Sequence, residues 1–287
     1  MSDPVHVIGA SGRSGAVLVR SLRADGIAVV PVVRSADRWA ATGLPETPRL
    51  ADLRTPEALR TALAGARRIV SCAHARHTAA ILAAAPREAM LVLLGSTRKF
   101  TRWPDAHGNG VLAGEAALLG SGRAGVMLHP TMIYGAQGED NVQRLAALMQ
   151  KLPMLPLPGG GRFLVQPIHQ SDVTRAIRSA LDLEWPQARS LVIAGPEPVP
   201  YADFVRAIAA ACGLPTPRIF LFPAGPLILL ARMTQHVTSR PPVRPDEIRR
   251  LLEDKAFSID DMRATLGFEP IPLAKGLALT FAGSHEE

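Results

Sequence analysis

Short runs of unbroken apolar residues recur along the first half of the chain, each followed by a stretch with helical spacing. This alternation restricts the fold more than any other feature. Strand-like runs fall at 5–9, 27–33, 67–73, 89–95 and 125–129, with a weaker one at 48–50. Helix-like runs fall at 14–25, 55–64, 75–85 and 111–121. A run such as AMLVLLG, apolar at every position, suits a parallel strand covered on both faces. Strands that alternate with helices connect by right-handed crossovers, which predicts an α/β fold with a doubly wound parallel sheet. From residue 151 the texture changes, and KLPMLPLPGGGRF reads as a flexible excursion away from the sheet. Beyond it, SDVTRAIRSALDL predicts a helix capped by Ser171 or Asp172. SLVIAG then predicts a strand, and YADFVRAIAAACG a helix ending at Gly213. RPDEIRRLLEDK and SIDDMRATLG predict a last helical pair. The expected division is an α/β core over 1–150 and a remainder, 151–287, that mixes a return to that core with a smaller C-terminal α/β lobe.

Within the first strand–helix join, VHVIGASGRSGAVLVR, Gly9, Gly12 and Gly15 stand where the chain turns. Glycine permits the tight turn and a close approach of backbone to a ligand. The helix start that follows presents free N–H groups and a positive dipole end, which suits a pyrophosphate held by Gly9, Ser11, Gly12, Arg13, Ser14 and Gly15. An ordinary glycine-containing turn is the plainer reading of these residues alone. The second strand ends in Arg34, where a dinucleotide fold meets the adenosine ribose. An acidic residue there accepts from both ribose hydroxyls, whereas arginine offers a planar fork of donors to a 2′-phosphate. Arg34, with Arg13 beside it, therefore predicts NADP(H) over NAD(H). Asp52 and Leu53, after the weak third strand, are expected to flank the adenine. Ser71 and Ala73, at the end of the fourth strand with Cys72 between them, are small enough for a cofactor to pass close to backbone, and Cys72 and Ala73 are expected to touch it.

The net charge of +7 comes almost wholly from scattered arginines, with no basic run interleaved with aromatics. An anionic cofactor accounts for it, and nucleic acid is not an expected partner. Two cysteines far apart lack metal-ligand spacing, so no metal is expected. A strand beginning at residue 5 leaves no room for a signal peptide, and IFLFPAGPLILLARM is too short and proline-broken to span a bilayer. A cytoplasmic protein is expected.

Together GASGRSG, ADL with Asp52, GST at 95–97, HPTMIYG at 129–135 and PIHQSDV at 167–173 resemble the short-chain dehydrogenase/reductase superfamily in its extended and atypical, epimerase/dehydratase-like branches. The resemblance runs from residue 5 to about 180, and FSIDDMRATLGFEPIPLAKGL is similar to those proteins' closing segment. It implies a Rossmann core, a bound NAD(P), contacts from Ser96 and Pro130, and a small-molecule substrate in the C-terminal lobe. It also implies a Tyr-x-x-x-Lys pair with a nearby Ser or Thr. Only Tyr134 and Tyr201 are present, and Gly138 and Val205 stand four residues after them. Aligning NGVLAGEAAL with the family's helix puts Asn109 and Ala113 at the pair's positions, and neither does acid–base work. Thr97 and Lys99 are left as the catalytic candidates. Arg98, Asp105, His107, His74 and His77 are weaker ones, with plain loop or helix-start roles as the alternative.

Three readings stay open. One is an NADP(H)-dependent oxidoreductase or isomerase acting on a carbonyl or sugar-like molecule. Another is a non-catalytic dinucleotide-binding sensor or accessory subunit, whose partner is a protein. The third uses Ile219 to Met233 as a docking helix for a membrane surface or complex, against the plainer reading of a buried lobe helix.

Overall fold

The computed structural model describes residues 3–136, 140–152, 154–237 and 245–282. In the first half, β1 (Val5–Ile8), β2 (Val29–Val33), β3 (Arg49–Leu50), β4 (Arg68–Ser71), β5 (Met90–Leu94) and β6 (Gly125–Pro130) are joined through helices. These are α1 (Arg13–Ala24), α2 (Ala36–Ala40), α3 (Pro56–Ala62), α4 (Thr78–Ala84) and α5 (Ala106–Leu119). The second half begins with β7 (Ile133–Tyr134), α6 (Asn141–Lys151), β8 (Met154–Pro158), β9 (Leu164–Val165), β10 (Ile168–His169) and α7 (Gln170–Asp182). Then come β11 (Ala188–Ile193), β12 (Val199–Pro200), α8 (Tyr201–Ala211), β13 (Arg218–Phe222), α9 (Ala224–Val237), α10 (Pro245–Arg250), α11 (Asp260–Leu266) and α12 (Leu273–Phe281).

Seven strands make one sheet in the order β11-β6-β5-β4-β1-β2-β3, every neighbour pair parallel. The order in which strands are added reverses at β1/β4, which opens a crevice at the strands' C-terminal ends, the usual ligand site of such sheets. The strands are apolar throughout because both faces are covered. Val5 and Val7 pack in one cluster with α1, α7 and α11, while Ile8 packs in the other with α3, α4 and α5. Helix α1 turns Gly15, Ala16, Leu18, Val19 and Leu22 inward, a stripe at helical spacing. Burying each of its larger side chains contributes about 1.5–3 kcal/mol. A third cluster gathers α6, β8, α8 and α12 around Phe204, Tyr134 and Leu277.

Four expectations are corrected. The excursion at 151–163 contains an ordered strand, β8, paired in parallel with β13 in a two-stranded sheet. Pro156 and Pro158 lack an N–H, and a strand with a single partner tolerates that on its outer edge. The apolar segment 219–233 is not one buried helix. Pro223 ends β13 before α9 starts, and Leu221, Leu229 and Met233 are 67%, 61% and 62% exposed. The helix foreseen at 111–121 begins at Ala106, where Asp105 Oδ1 accepts from the Gly108 N–H at 2.8 Å. Helix α7 is capped by His169, whose Nδ1 accepts from the Ser171 N–H, and not by Ser171 or Asp172. Asp172 lies inside the first turn, where it accepts from the Ile271 N–H at 2.7 Å and ties down the C-terminal segment. Among the described residues no helix is long and apolar enough to cross a membrane, and no group of side chains has a metal-binding arrangement.

Candidate cofactor and catalytic site

The glycine turn builds a cradle by close approach. Gly9 has φ +75°, and a Cβ there would stand 3.1 Å from the Ala73 N, so β1 and the end of β4 nearly touch. Gly12 caps α1, with its N–H donating to the Gly9 carbonyl at 2.9 Å. At Gly15 a Cβ would lie 2.2 Å from the Gly9 oxygen. The turn brings Ser11, Arg13 and Ser14 to the start of α1, where first-turn N–H groups lack intrahelical partners. Ser14 Oγ reaches Gln170 Oε1 at 3.5 Å, and the exposed Arg13 lies 3.8 Å from Asp140. Cys72 and Ala73 line the other wall of the crevice, and burial pushes the Cys72 thiol up to about 12, so it stays protonated. A pyrophosphate fits this cradle, since the space is one that side chains would fill.

At the ribose end, Arg34 is exposed just past β2. Asp52 accepts from the Arg54 backbone at 2.9 Å and from its guanidinium at 2.7 Å. Those hydrogen bonds, with the Arg34 charge as a smaller contribution, hold its carboxyl far below the usual range. Leu53 packs toward the α3/α4/α5 cluster.

At the other end, Ser96 and Thr97 follow β5. Thr97 Oγ1 donates to the Pro130 carbonyl at 3.2 Å, and Ser96 Oγ accepts from the Arg98 N–H. Lys99 runs back under α5. Its ammonium binds Glu115, with Ser190 Oγ at 3.4 Å and His129 Nε2 at 3.5 Å. Ser190 is level with Met127, three residues short of the end of β6, so Lys99 is engaged below the crevice rim. Ser190 also donates to Glu115, and His129 Nε2 lies 3.2 Å from the same carboxylate. The His129 Nδ1 accepts from the Ser96 N–H at 3.1 Å, so a neutral ring carries its proton on Nε2 and donates it to Glu115. Burial pushes Glu115 up, but hydrogen bonds from Lys99 and Ser190 with the nearby charges outweigh it and hold the carboxyl below its usual value. No sequence motif signalled this group; its members come from β6, β11, α5 and the loop after β5.

Burial and the Lys99 charge lower the His129 pKa to about 4. A histidine depressed in the folded state stabilises above its unfolded value of 6.5, and that contribution is lost as pH falls from 6.5 through 4. Denaturant titrations across that window should show the wild type losing about 1.4 kcal/mol per pH unit more than His129→Gln, the slope of one proton. Equal slopes would refute the assignment.

Asn109 and Ala113 both lie on the exposed side of α5. The covered side carries Gly108, Val111, Gly114 and Leu118, with half-buried His107 and Glu115 beside them. His107 stacks edge-on against His74, their ring centroids 4.2 Å apart. Tyr134 is buried against α12, where a Cβ at Gly276 would stand 2.0 Å from its hydroxyl. Burial, with Asp172 as a smaller cause, drives its pKa further up, so Tyr134 is a packing residue.

Residues 9–107 match the NAD(P)H-binding family, and they contain the cradle, Arg34, Asp52 and Thr97. Along its full length the chain has the Rossmann fold of the epimerase-like short-chain dehydrogenases/reductases. A putative epimerase from Burkholderia cenocepacia is 18% identical over 100% of this chain and 99% of that one, with a TM-score of 0.75. UDP-glucose 4-epimerase from Thermotoga maritima, solved with UDP-glucose, is 14% identical over 99% and 100%, at 0.73. A short-chain dehydrogenase/reductase superfamily protein from Agrobacterium tumefaciens, solved with bound NAD, is 18% identical over 98% and 97%, at 0.70. No curated protein matches the sequence.

Proposed function

We propose that the chain is an NADP(H)-dependent oxidoreductase or epimerase-like enzyme that acts on a carbonyl or sugar-like small molecule without a Tyr-x-x-x-Lys pair. The bound nicotinamide would supply or accept the hydride. Gly9, Gly12 and the first turn of α1 would hold the pyrophosphate, and Thr97 would orient the substrate oxygen. The observation that carries the cofactor choice is the Arg34 guanidinium, exposed where the ribose phosphate would sit. The nearby carboxylate, Asp52, is taken up by Arg54, so it is a poor acceptor for ribose hydroxyls. A charge-assisted hydrogen bond contributes roughly 1.5–3 kcal/mol, so Arg34→Ala should weaken NADPH by about 10- to 100-fold and barely move NADH. Fluorescence titration with both cofactors tests this. Equal losses, or a wild-type preference for NADH, would refute it.

A second reading, a dinucleotide-binding sensor or accessory subunit, draws support from Ala113 on the exposed side of α5 and from Lys99 bound to Glu115. Neither gives the crevice a lysine. Turnover separates the two readings.

A further inference from the structure

His74 and His107 form a pair of titratable rings that none of the roles above uses. β4 and β5 are adjacent and level, with Ser71 opposite Leu93. His74 stands three residues past the end of β4, and Thr97 three residues past the end of β5. Both therefore lie in the loops that follow adjacent strands at the C-terminal rim of the sheet. His107 joins them from the first turn of α5. Glycines make the fit possible. A Cβ at Gly110 would stand 3.0 Å from His74 Cε1, and one at Gly108 would stand 2.9 Å from the Arg98 carbonyl. The His74 Nδ1 accepts from the Arg76 N–H at 3.0 Å, so its proton resides on Nε2, which is buried without a hydrogen-bond partner.

Resting on the oxidoreductase reading, we infer that His107 is the catalytic residue that takes and returns the substrate's hydroxyl proton, with His74 as the residue that positions its ring. The carbinol O–H bond breaks as its proton passes to an unprotonated ring nitrogen of His107. The C–H electron pair leaves as hydride to the oxidised nicotinamide, and the C=O bond forms. Reduction runs the same steps backwards, with the imidazolium as donor.

The surroundings keep the ring neutral. Burial is the first cause, followed by Arg98 from the loop after β5, then Arg76 beside His74 and Arg250 from α10, while Asp105 opposes them. His74 is lowered to about 4 by burial and then by His107. A neutral imidazole at pH 7 is a ready proton acceptor, and general acid–base catalysis is worth roughly 10²–10⁴-fold in rate.

The test compares the wild type with His107→Phe, which keeps a ring against His74 but has no nitrogen, and with His107→Gln as a second variant. NADP⁺-linked oxidation is followed across a panel of secondary alcohols and UDP-glucose. Both variants should lose about 10²–10⁴-fold in kcat while NADPH affinity by fluorescence stays within about twofold. The wild-type rate should fall below pH 6.5 as the ring protonates, a limb absent from both variants; Tyr134→Phe should keep the wild-type rate and profile. Long-range ¹H–¹⁵N spectra of the imidazoles should show His107 neutral at pH 7 and shifted by saturating NADPH. Unchanged turnover in His107→Phe or His107→Gln overturns the inference and leaves the oxidoreductase reading standing. A wild type that binds NADPH, with His107 responding, yet oxidises nothing overturns that reading, and the base with it. A His107 signal indifferent to NADPH overturns the inference alone.

Discussion

Glu115→Ala is expected to destabilise the chain by about 3–5 kcal/mol, the usual loss when one partner of a buried ion pair is removed. The Lys99 and Glu115 side chains are 9% and 13% exposed, so removing the carboxylate strands an ammonium where water cannot repay it. It also strands the Ser190 hydroxyl and the His129 Nε2–H, both aimed at the same oxygen. Lys99→Met should cost a similar amount, for the converse reason. The double variant Lys99→Met/Glu115→Leu should recover most of the loss, since well-packed apolar residues often replace a buried pair at little cost. Urea denaturation of the four proteins at pH 7 measures this, and recovery in the double variant is the decisive quantity. Single variants that each lose less than about 1 kcal/mol would mean that the pair is solvated and carries no load. A secondary effect follows from the backbone. His129 accepts from the Ser96 N–H, so loosening this group should also raise amide exchange at Ser96 and Thr97.

The central sheet was legible because its strands must be apolar on both faces. Nothing else explains MLVLL at 90–94 or RIVS at 68–71 followed by small residues. The tight turn was legible for a related reason: at Gly9 and Gly15 a Cβ would press on backbone, 3.1 Å from the Ala73 N and 2.2 Å from the Gly9 oxygen, whereas Gly12 faces open space before α1. Helix α5 hid its start for the same residue type. Gly108, Gly110 and Gly114 lower helix propensity by roughly 1 kcal/mol each, so spacing alone moved the start to 111 and left His107 on a loop. Those glycines answer to tertiary contacts, since a Cβ at Gly114 would stand 2.1 Å from the Ala75 carbonyl. Asp105, an N-cap residue with Gly108 three positions on, was the available signal for the true start. Lys99 could not be read from its neighbours. GST directly before it suggests the crevice rim, whereas its flexible stem reaches Glu115 sixteen residues away beneath the helix. The exposed apolar side chains of β13 and α9 were equally hidden, because composition does not say which face is covered.

Gly12→Val should reduce NADPH and NADH affinity alike by on the order of 100-fold or more while the protein stays folded. The geometry separates this position from its neighbour. A Cβ at Gly15 would collide with the Gly9 carbonyl at 2.2 Å and the Ala10 Cα at 2.9 Å, so Gly15→Val should damage the turn and with it the fold. At Gly12 the Gly9 oxygen, at 3.1 Å, is the sole atom within 4 Å of a Cβ, and φ is −83°, which any residue adopts. A valine there meets little protein; its two methyl groups occupy the open space before the first turn of α1. That is the space a pyrophosphate would need in order to accept from the N–H groups of the turn. Each charge-assisted hydrogen bond lost is worth roughly 1.5–3 kcal/mol, so losing one or two gives the stated magnitude. Because both dinucleotides share the pyrophosphate, the loss should not discriminate between them, in contrast to Arg34→Ala. Calorimetric titration with each cofactor, beside thermal melts of Gly12→Val and Gly15→Val, measures all of this. Unchanged affinity in a folded Gly12→Val protein would move the dinucleotide out of the cradle. A Gly12→Val protein that melts as early as Gly15→Val would show instead that the two glycines serve the turn alone.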